Sequence, residues 1–342
     1  MSILHFACRD DEGTDFVKQL ATELPYFSKV VDDQSNEDGW TPLMWAAQKG
    51  NIETIQELVA NGANVMKTKT DGISLYHMAA SNNDVHLLDY AISLKAHTSL
   101  NLKNDDGWTP AHMAGFLNNF DSLNLLLENG ASLDEKNNNA LSCYEEIVRA
   151  DNADLLECIY PLVQDILRQR NLSKKATYSL LHLASGSEGP KSLKFLLEKA
   201  GESPNQICNA DDRATALHFA VLSDKIDNAR ILLRYGANPN AKDSMGNSAL
   251  HYSVANRQLR LVKLLEDYNA DGTLPNEDDI CPIDISITED IKDIRMYFMS
   301  LNKYRNFDFS GLGRQHQEQQ TSHSHSAFTT ENTKAFQDYT KQ

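Results

Sequence analysis

The sequence repeats itself. The stretch Asp38–Val65, DGWTPLMWAAQKGNIETIQELVANGANV, returns from Asp106 as DGWTPAHMAGFLNNFDSLNLLLENGASL and from Arg213 as RATALHFAVLSDKIDNARILLRYGANPN. Each copy reads as a turn, a helix, a second helix and a loop. Nine helix starts share one pattern: SILHFA from Ser2, TPLMWA from Thr41, SLYHMA from Ser74, TPAHMA from Thr109, SCYEEI from Ser142, SLLHLA from Ser179, TALHFA from Thr215, SALHYS from Ser248 and CPIDIS from Cys281. The steps between them are 39, 33, 35, 33, 37, 36, 33 and 33 residues. A chain built this way has no single central core, because each unit packs on its neighbours and added length adds units.

Each residue of the pattern has a task. The Thr or Ser caps the helix start. The Pro takes the first helical position, where a missing N–H costs nothing. The second helix carries apolar residues at helical spacing, as in Leu123, Leu126 and Leu127, or Leu261, Leu264 and Leu265. It stops at Asn61–Ala63, Asn129–Ala131 and Tyr235–Ala237, where a central glycine supplies the left-handed stop. The Asp-Gly that opens the next copy favours a tight reversal.

This pattern resembles the ankyrin repeat, whose first helix begins Thr-Pro-Leu-His-x-Ala. The resemblance covers roughly residues 1–305. It implies an all-α ankyrin-repeat solenoid of stacked helix-turn-helix units with β-hairpin-like loops. It also implies that the His of the pattern bridges backbone groups of adjacent loops. Partners are expected on the concave face, made of hairpin tips and the exposed side of the first helices.

Four segments follow: N-terminal repeats over 1–140, an irregular repeat over 141–176, C-terminal repeats over 177–305 and a polar tail over 306–342. The irregular repeat has Glu145 at the His position and lacks the Gly-Ala stop. Pro161 is expected to end or kink its second helix. Lys174 and Lys175 stand where an acidic hairpin belongs, and Ser185–Ser192 lengthens the next inter-helix loop. The segment is either a hinge between two sub-arrays or a drifted repeat that stacks normally. The tail is rich in Gln, Ser, Thr and His and is expected to be disordered alone. Its Phe328, Phe336 and Tyr339 are candidates to order on a partner.

Formal charge is 32 − 48 = −16. That opposes binding to nucleic-acid phosphates or an anionic membrane surface. Five widely spaced cysteines, Cys8, Cys143, Cys158, Cys208 and Cys281, read as thiols in a reducing compartment. No run approaches the ~20 apolar residues of a membrane span. The expected location is cytoplasmic, with cytoskeletal association as a refinement.

Candidate chemistry is thin. Six of eleven histidines, His5, His77, His112, His182, His218 and His251, occupy the helix-start position and read as structural. His316, His323 and His325 lie in the tail, where SHSHS is at most a weak chelator. Phosphate loop, dinucleotide fingerprint, nucleophile elbow, kinase signature and zinc-protease motif are all absent from the sequence. The expectation is a protein without catalysis, cofactor or metal.

Function is therefore sought on the concave face. Mapping the variable positions of the family onto this chain gives Trp40, Gln48, Lys49, Ile73, Trp108, Phe116, Leu117 and Leu222. Trp is favoured at binding hot spots because it offers a large rigid area with one donor. Phe116 and Leu117 replace polar residues typical of their slot, either to bind or to pack on the irregular repeat. Trp45 sits at a core position of its helix and reads as structural. The expected function is a protein–protein interaction scaffold or adaptor, a structural subunit of a larger cytoskeletal or organellar assembly. The alternative is a regulatory subunit that inhibits or recruits an enzyme.

Overall fold

The structure is a computed structural model that describes residues 2–9, 13–35, 38–94, 100–172, 178–208 and 212–310. Lys174, Lys175 and the tail residues Phe328, Phe336 and Tyr339 lie outside the described residues. The chain forms two compact units, Met1–Ile147 and Val148–Gln342.

The first unit holds α1 (Ile3–Arg9), α2 (Gly13–Glu23), α3 (Phe27–Val30), α4 (Pro42–Lys49), α5 (Ile52–Ala60), α6 (Leu75–Ser81), α7 (Val85–Ser93), α8 (Pro110–Phe116) and α9 (Phe120–Glu128). The helix α10 (Cys143–Arg149) contains the division. First helices pack in sequence, α1 on α4, α4 on α6 and α6 on α8. Second helices form another row, with α2 on α5 and α7 on α9. Close approach within the first row depends on small residues: Ala46, Ala79, Ala80, Ala111 and Ala114 have no accessible surface. The second row contributes Ile55, Leu58, Leu87, Leu88, Leu123 and Leu126, all buried. Each such side chain stabilises the stack by ~1.5–3 kcal/mol relative to exposure.

The second unit repeats the scheme. Its helices are α11 (Ala153–Leu172), α12 (Leu180–Gly186), α13 (Lys191–Glu198), α14 (Ala216–Leu222), α15 (Ile226–Arg234), α16 (Ala249–Ala255), α17 (Leu259–Asp267), α18 (Pro282–Thr288) and α19 (Lys292–Ser300). First helices stack as α12 on α14, α14 on α16 and α16 on α18. A 3-10 turn, Asn302–Tyr304, closes the last unit. There Tyr304 Oη accepts the Gly272 N–H at 2.6 Å and donates to Glu266 Oε1 at 2.8 Å.

Helix starts follow the expected chemistry. Thr41 Oγ1 accepts the Met44 N–H at 3.3 Å, and Pro stands in the first turn of α4, α8 and α18. The loops carry single antiparallel bridges, Thr68 with Ser74, Lys136 with Ser142 and Ile207 with Thr215. They are thus hairpin-like without named strands among the described residues.

Pro161 does not end its helix. α11 runs through it for 20 residues. Pro161 and Glu157 are both exposed, so the carbonyl that loses its N–H partner lies on the watered side of the helix. A helix without a glycine stop then has nothing to end it until Leu172.

Candidate protein-binding groove

The groove is built from the helix-start histidines outward. In each regular unit the backbone N–H of the capping Ser or Thr donates to His Nδ1, at 3.1 Å for Ser2–His5 and 3.2 Å for Ser74–His77. Nδ1 is then an acceptor, so the ring proton is on Nε2. Nε2–H of His5 donates to the Trp40 carbonyl at 3.0 Å, and that of His77 to the Trp108 carbonyl at 2.9 Å. The same bond links His112 to Leu141, His182 to Ala214, His218 to Asn247 and His251 to Ile280. This is the bridge between adjacent loops that the resemblance to the ankyrin repeat implies.

Trp40 and Trp108 are therefore both held at their backbones. The Trp40 N–H donates to Ser35 Oγ at 3.2 Å, and the Trp108 N–H to Asn104 Oδ1 at 2.7 Å. Gly107, just before Trp108, has φ +76°, and an added Cβ would lie 2.5 Å from Asn138 Oδ1. Only glycine allows this approach of the two loops.

Between the tryptophans lies a cleft of about 430 Å³. Gln48 of α4, Met78 and Ser81 of α6, and Met113, Phe116 and Leu117 at α8 line it together with Ile73. Trp40 stacks on Trp45 at 4.5 Å with 28° between the rings. The Arg9 guanidinium lies 5.5 Å from the Trp45 ring, and the Lys69 ammonium 5.0 Å from that of Trp40. Trp108 meets Phe116 edge to face at 5.3 Å. Phe116 and Leu117 remain 40 % and 49 % exposed, so they stay open to the cleft. Lys69, Asp71, Asn104 and Asp106 give the cleft its polar rim. Desolvation opposes ionisation of Asp71, but the Lys69 ammonium and the Ile73 N–H outweigh it and hold its carboxyl below the usual range.

Six of the positions singled out in the sequence come together here: Trp40, Gln48, Ile73, Trp108, Phe116 and Leu117. Lys49 is exposed but does not line the cleft. Leu222 belongs to the second unit, where it is half-buried against Cys208, Ala214 and Phe219. Sequence reasoning missed Lys69, Asp71, Met78, Asn104, Asp106 and Met113. Met78 and Met113 could have been found, since they are the variable x of Leu-His-x-Ala, one residue past the buried His. Trp45 holds the same place in its helix and is half-buried beneath Trp40.

The repeats match the family described as ankyrin repeats in three copies, over residues 1–69, 44–137 and 153–276. The chain belongs to the ankyrin repeat family. It is 26 % identical over 253 residues to the NAD-dependent deacetylase sir2B of Dictyostelium discoideum, covering 71 % of this chain and 30 % of that protein. It is 24 % identical over 290 residues to the E3 ubiquitin-protein ligase KEG of Arabidopsis thaliana, covering 81 % of this chain and 17 % of that one. To the nuclear factor NF-kappa-B p105 subunit of Gallus gallus it is 26 % identical over 209 residues, 60 % of this chain and 20 % of that one. The chain thus spans less than a third of the length of each. Ankyrin repeats are protein–protein interaction modules, and that general role extends to this array. Among the described residues no helix is long and apolar enough to cross a membrane. Nor, among them, do three or more His, Cys, Asp or Glu side chains gather as a metal site would need.

Proposed function

We propose that this chain is a protein-binding scaffold without catalysis of its own, and that its partner docks on the Trp40–Trp108 groove of the first unit. One observation carries the reading: two large aromatic side chains, each fixed at its backbone by the histidine of the preceding repeat, face one apolar cleft. Preorganised aromatic anchors lose little entropy on binding, which is how few residues dominate an interface. The core between α4, α6 and α8 is built from other side chains, Leu43, Leu75 and Ala111 among them.

We also propose a place in a larger cytoplasmic assembly, cytoskeletal or organellar. The wide spacing of the five cysteines along the sequence supports that compartment. Trp40→Ala combined with Trp108→Ala tests the docking face. The double variant should retain its far-UV circular dichroism and lose co-purifying partners. Full retention of every partner would place docking elsewhere.

A further inference from the structure

Two loops depart from a pattern that five others share: the one before α14, where Cys208 stands at this place and Asp212 Oδ1 accepts the Ala214 N–H at 3.4 Å, and the one before α6. Just before the turn, those five carry a Ser, Asn or Asp whose side-chain oxygen accepts backbone N–H groups of its own loop. Ser35 takes that of Trp40 at 3.2 Å and Asn104 that of Trp108 at 2.7 Å. Asn137 takes those of Asn139 and Leu141, and Asp243 those of Met245 and Asn247. Asn276 takes those of Asp278 and Ile280. In the loop before α6 this residue is Lys69. Asp71 Oδ1 accepts the Ile73 N–H instead, at 3.1 Å. The Lys69 side chain bonds Asp71 Oδ2 of the same loop at 3.0 Å and lies over the Trp40 indole.

Stability does not explain that exchange. Asp71 is half exposed in the pair, and surface ion pairs contribute ~0–1 kcal/mol. What Lys69 occupies is an aromatic face with a carboxylate beside it, the combination that recognises an organic cation. The other end of the cleft offers similar groups without the cation, although the residue in register with Asp71 is Asn139 and the carboxylate comes from the loop of Trp108 itself. Trp108 and Phe116 supply the aromatic surface and the exposed Asp106 the carboxylate. Asn137, standing relative to Trp108 where Lys69 stands relative to Trp40, is buried and donates to Glu146 Oε1 at 2.8 Å. Among the described residues no cation lies within ion-pair distance of Asp106. The field of a chain with formal charge −16 favours the same sign of partner.

We infer that the groove takes an extended segment bearing an arginine or lysine, whose cation lies on Trp108 beside Asp106 while its apolar neighbours cover Met78 and Met113. Lys69 is the built-in occupant of the equivalent place at Trp40. The inference rests on the docking face proposed above and adds the chemistry of what docks.

The test titrates the full chain with acetylated, amidated decapeptides of one Ala-Leu-Gly-Ser background that differ only at a central Arg, Lys, Met or Glu. The readout is the set of indole N–H resonances, of which the chain has three, each assigned by a Trp→Phe variant. The Arg and Lys peptides should shift Trp108 more than Trp45 and bind at least about fivefold tighter than the Met peptide, or ~1 kcal/mol. Asp106→Asn, checked for folding by circular dichroism, should remove most of that difference, and so should added salt. A Met peptide that shifts Trp108 as strongly as Arg would overturn the cation preference and leave the docking face standing. Arg binding unchanged in Asp106→Asn would also overturn it. Silence of Trp40 and Trp108 with every peptide overturns the inference, and the partner-retention test then decides the docking face separately.

Discussion

At the scale of single residues, the helix-start histidine explains most of the loop order. It must be neutral, because Nδ1 accepts one N–H while Nε2–H donates to the next loop. The three departures keep the first task. Met44 Sδ accepts the Thr41 N–H at 3.5 Å, Glu145 Oε2 that of Ser142 at 2.7 Å, and Asp284 Oδ2 that of Cys281 at 3.0 Å. Glu145 also recruits Lys136; desolvation is outweighed by that charge and by Ser142, and its carboxyl sits below the usual range. Burial lowers the imidazole pKa of His77, His112 and His218, and brings His182 and His251 down from 6.5 to about 4. Above the unfolded value both states are neutral and the array keeps its full stability. As pH falls from 6.5 to about 4 the unfolded chain binds protons that the folded one refuses, so stability is lost, at ~1.4 kcal/mol per pH unit for each fully titrating site. Thermal melts across that range should show it, with His182→Gln weaker near neutrality but less sensitive to acid. Ala140 adopts φ 58° at an exposed turn where other loops carry glycine. Ala140→Gly should therefore stabilise by about 0.5–1 kcal/mol in urea unfolding. That the histidine is structural is legible from its position in the repeat, while its bridging bond is what the resemblance to the ankyrin repeat implies. The role of Lys69 is not legible, because a lysine in a polar loop looks like any solvated charge until its side chain is placed on Trp40.

At the scale of elements, helix starts are legible and helix ends less so. All nine predicted starts open a helix, since a cap, a proline and an apolar stripe reinforce one another across the series. α11 escapes prediction because helix termination needs more than one proline on an exposed face. Pro161→Ala restores the missing N–H and should raise resistance to urea by about 1–3 kcal/mol. A fall in stability would mean that the ring itself is packed. The closing turn is equally invisible in the sequence, lying just where the repeat pattern fades. Its anchor is specific: Tyr304 Oη serves Gly272 and Glu266, while Lys303 pairs with Glu266. Burial raises the Glu266 pKa against the opposing pull of Lys303 and Tyr304. Tyr304→Phe leaves the Gly272 N–H without its partner and should destabilise by about 1–3 kcal/mol. Hydrogen exchange at Gly272 should quicken with it.

At the scale of the whole molecule, the repeat register makes the fold legible in the chain itself, because period, cap and glycine stop constrain one another. The groove is only half legible. Trp40, Trp108, Phe116 and Leu117 stand out as large side chains at variable positions. Their gathering with Met78, Met113, Asp71 and Asp106 depends on how three consecutive first helices and their loops lie together, which a period does not give. Lys49 and Leu222 show the converse, since a matching position in a repeat does not ensure a place in the cleft. All of the cleft comes from the first row of helices and their loops, and none from the second row. The central claim is that binding uses this face. Its most direct test compares partner retention on the wild type, on the Trp40→Ala and Trp108→Ala double variant, and on Gln56→Ala in the exposed surface of α5, at matched folded fractions. The account predicts equal retention on wild type and Gln56→Ala and at least about a tenfold loss on the double variant, as expected when two anchor residues are removed. Equal retention on all three would contradict it.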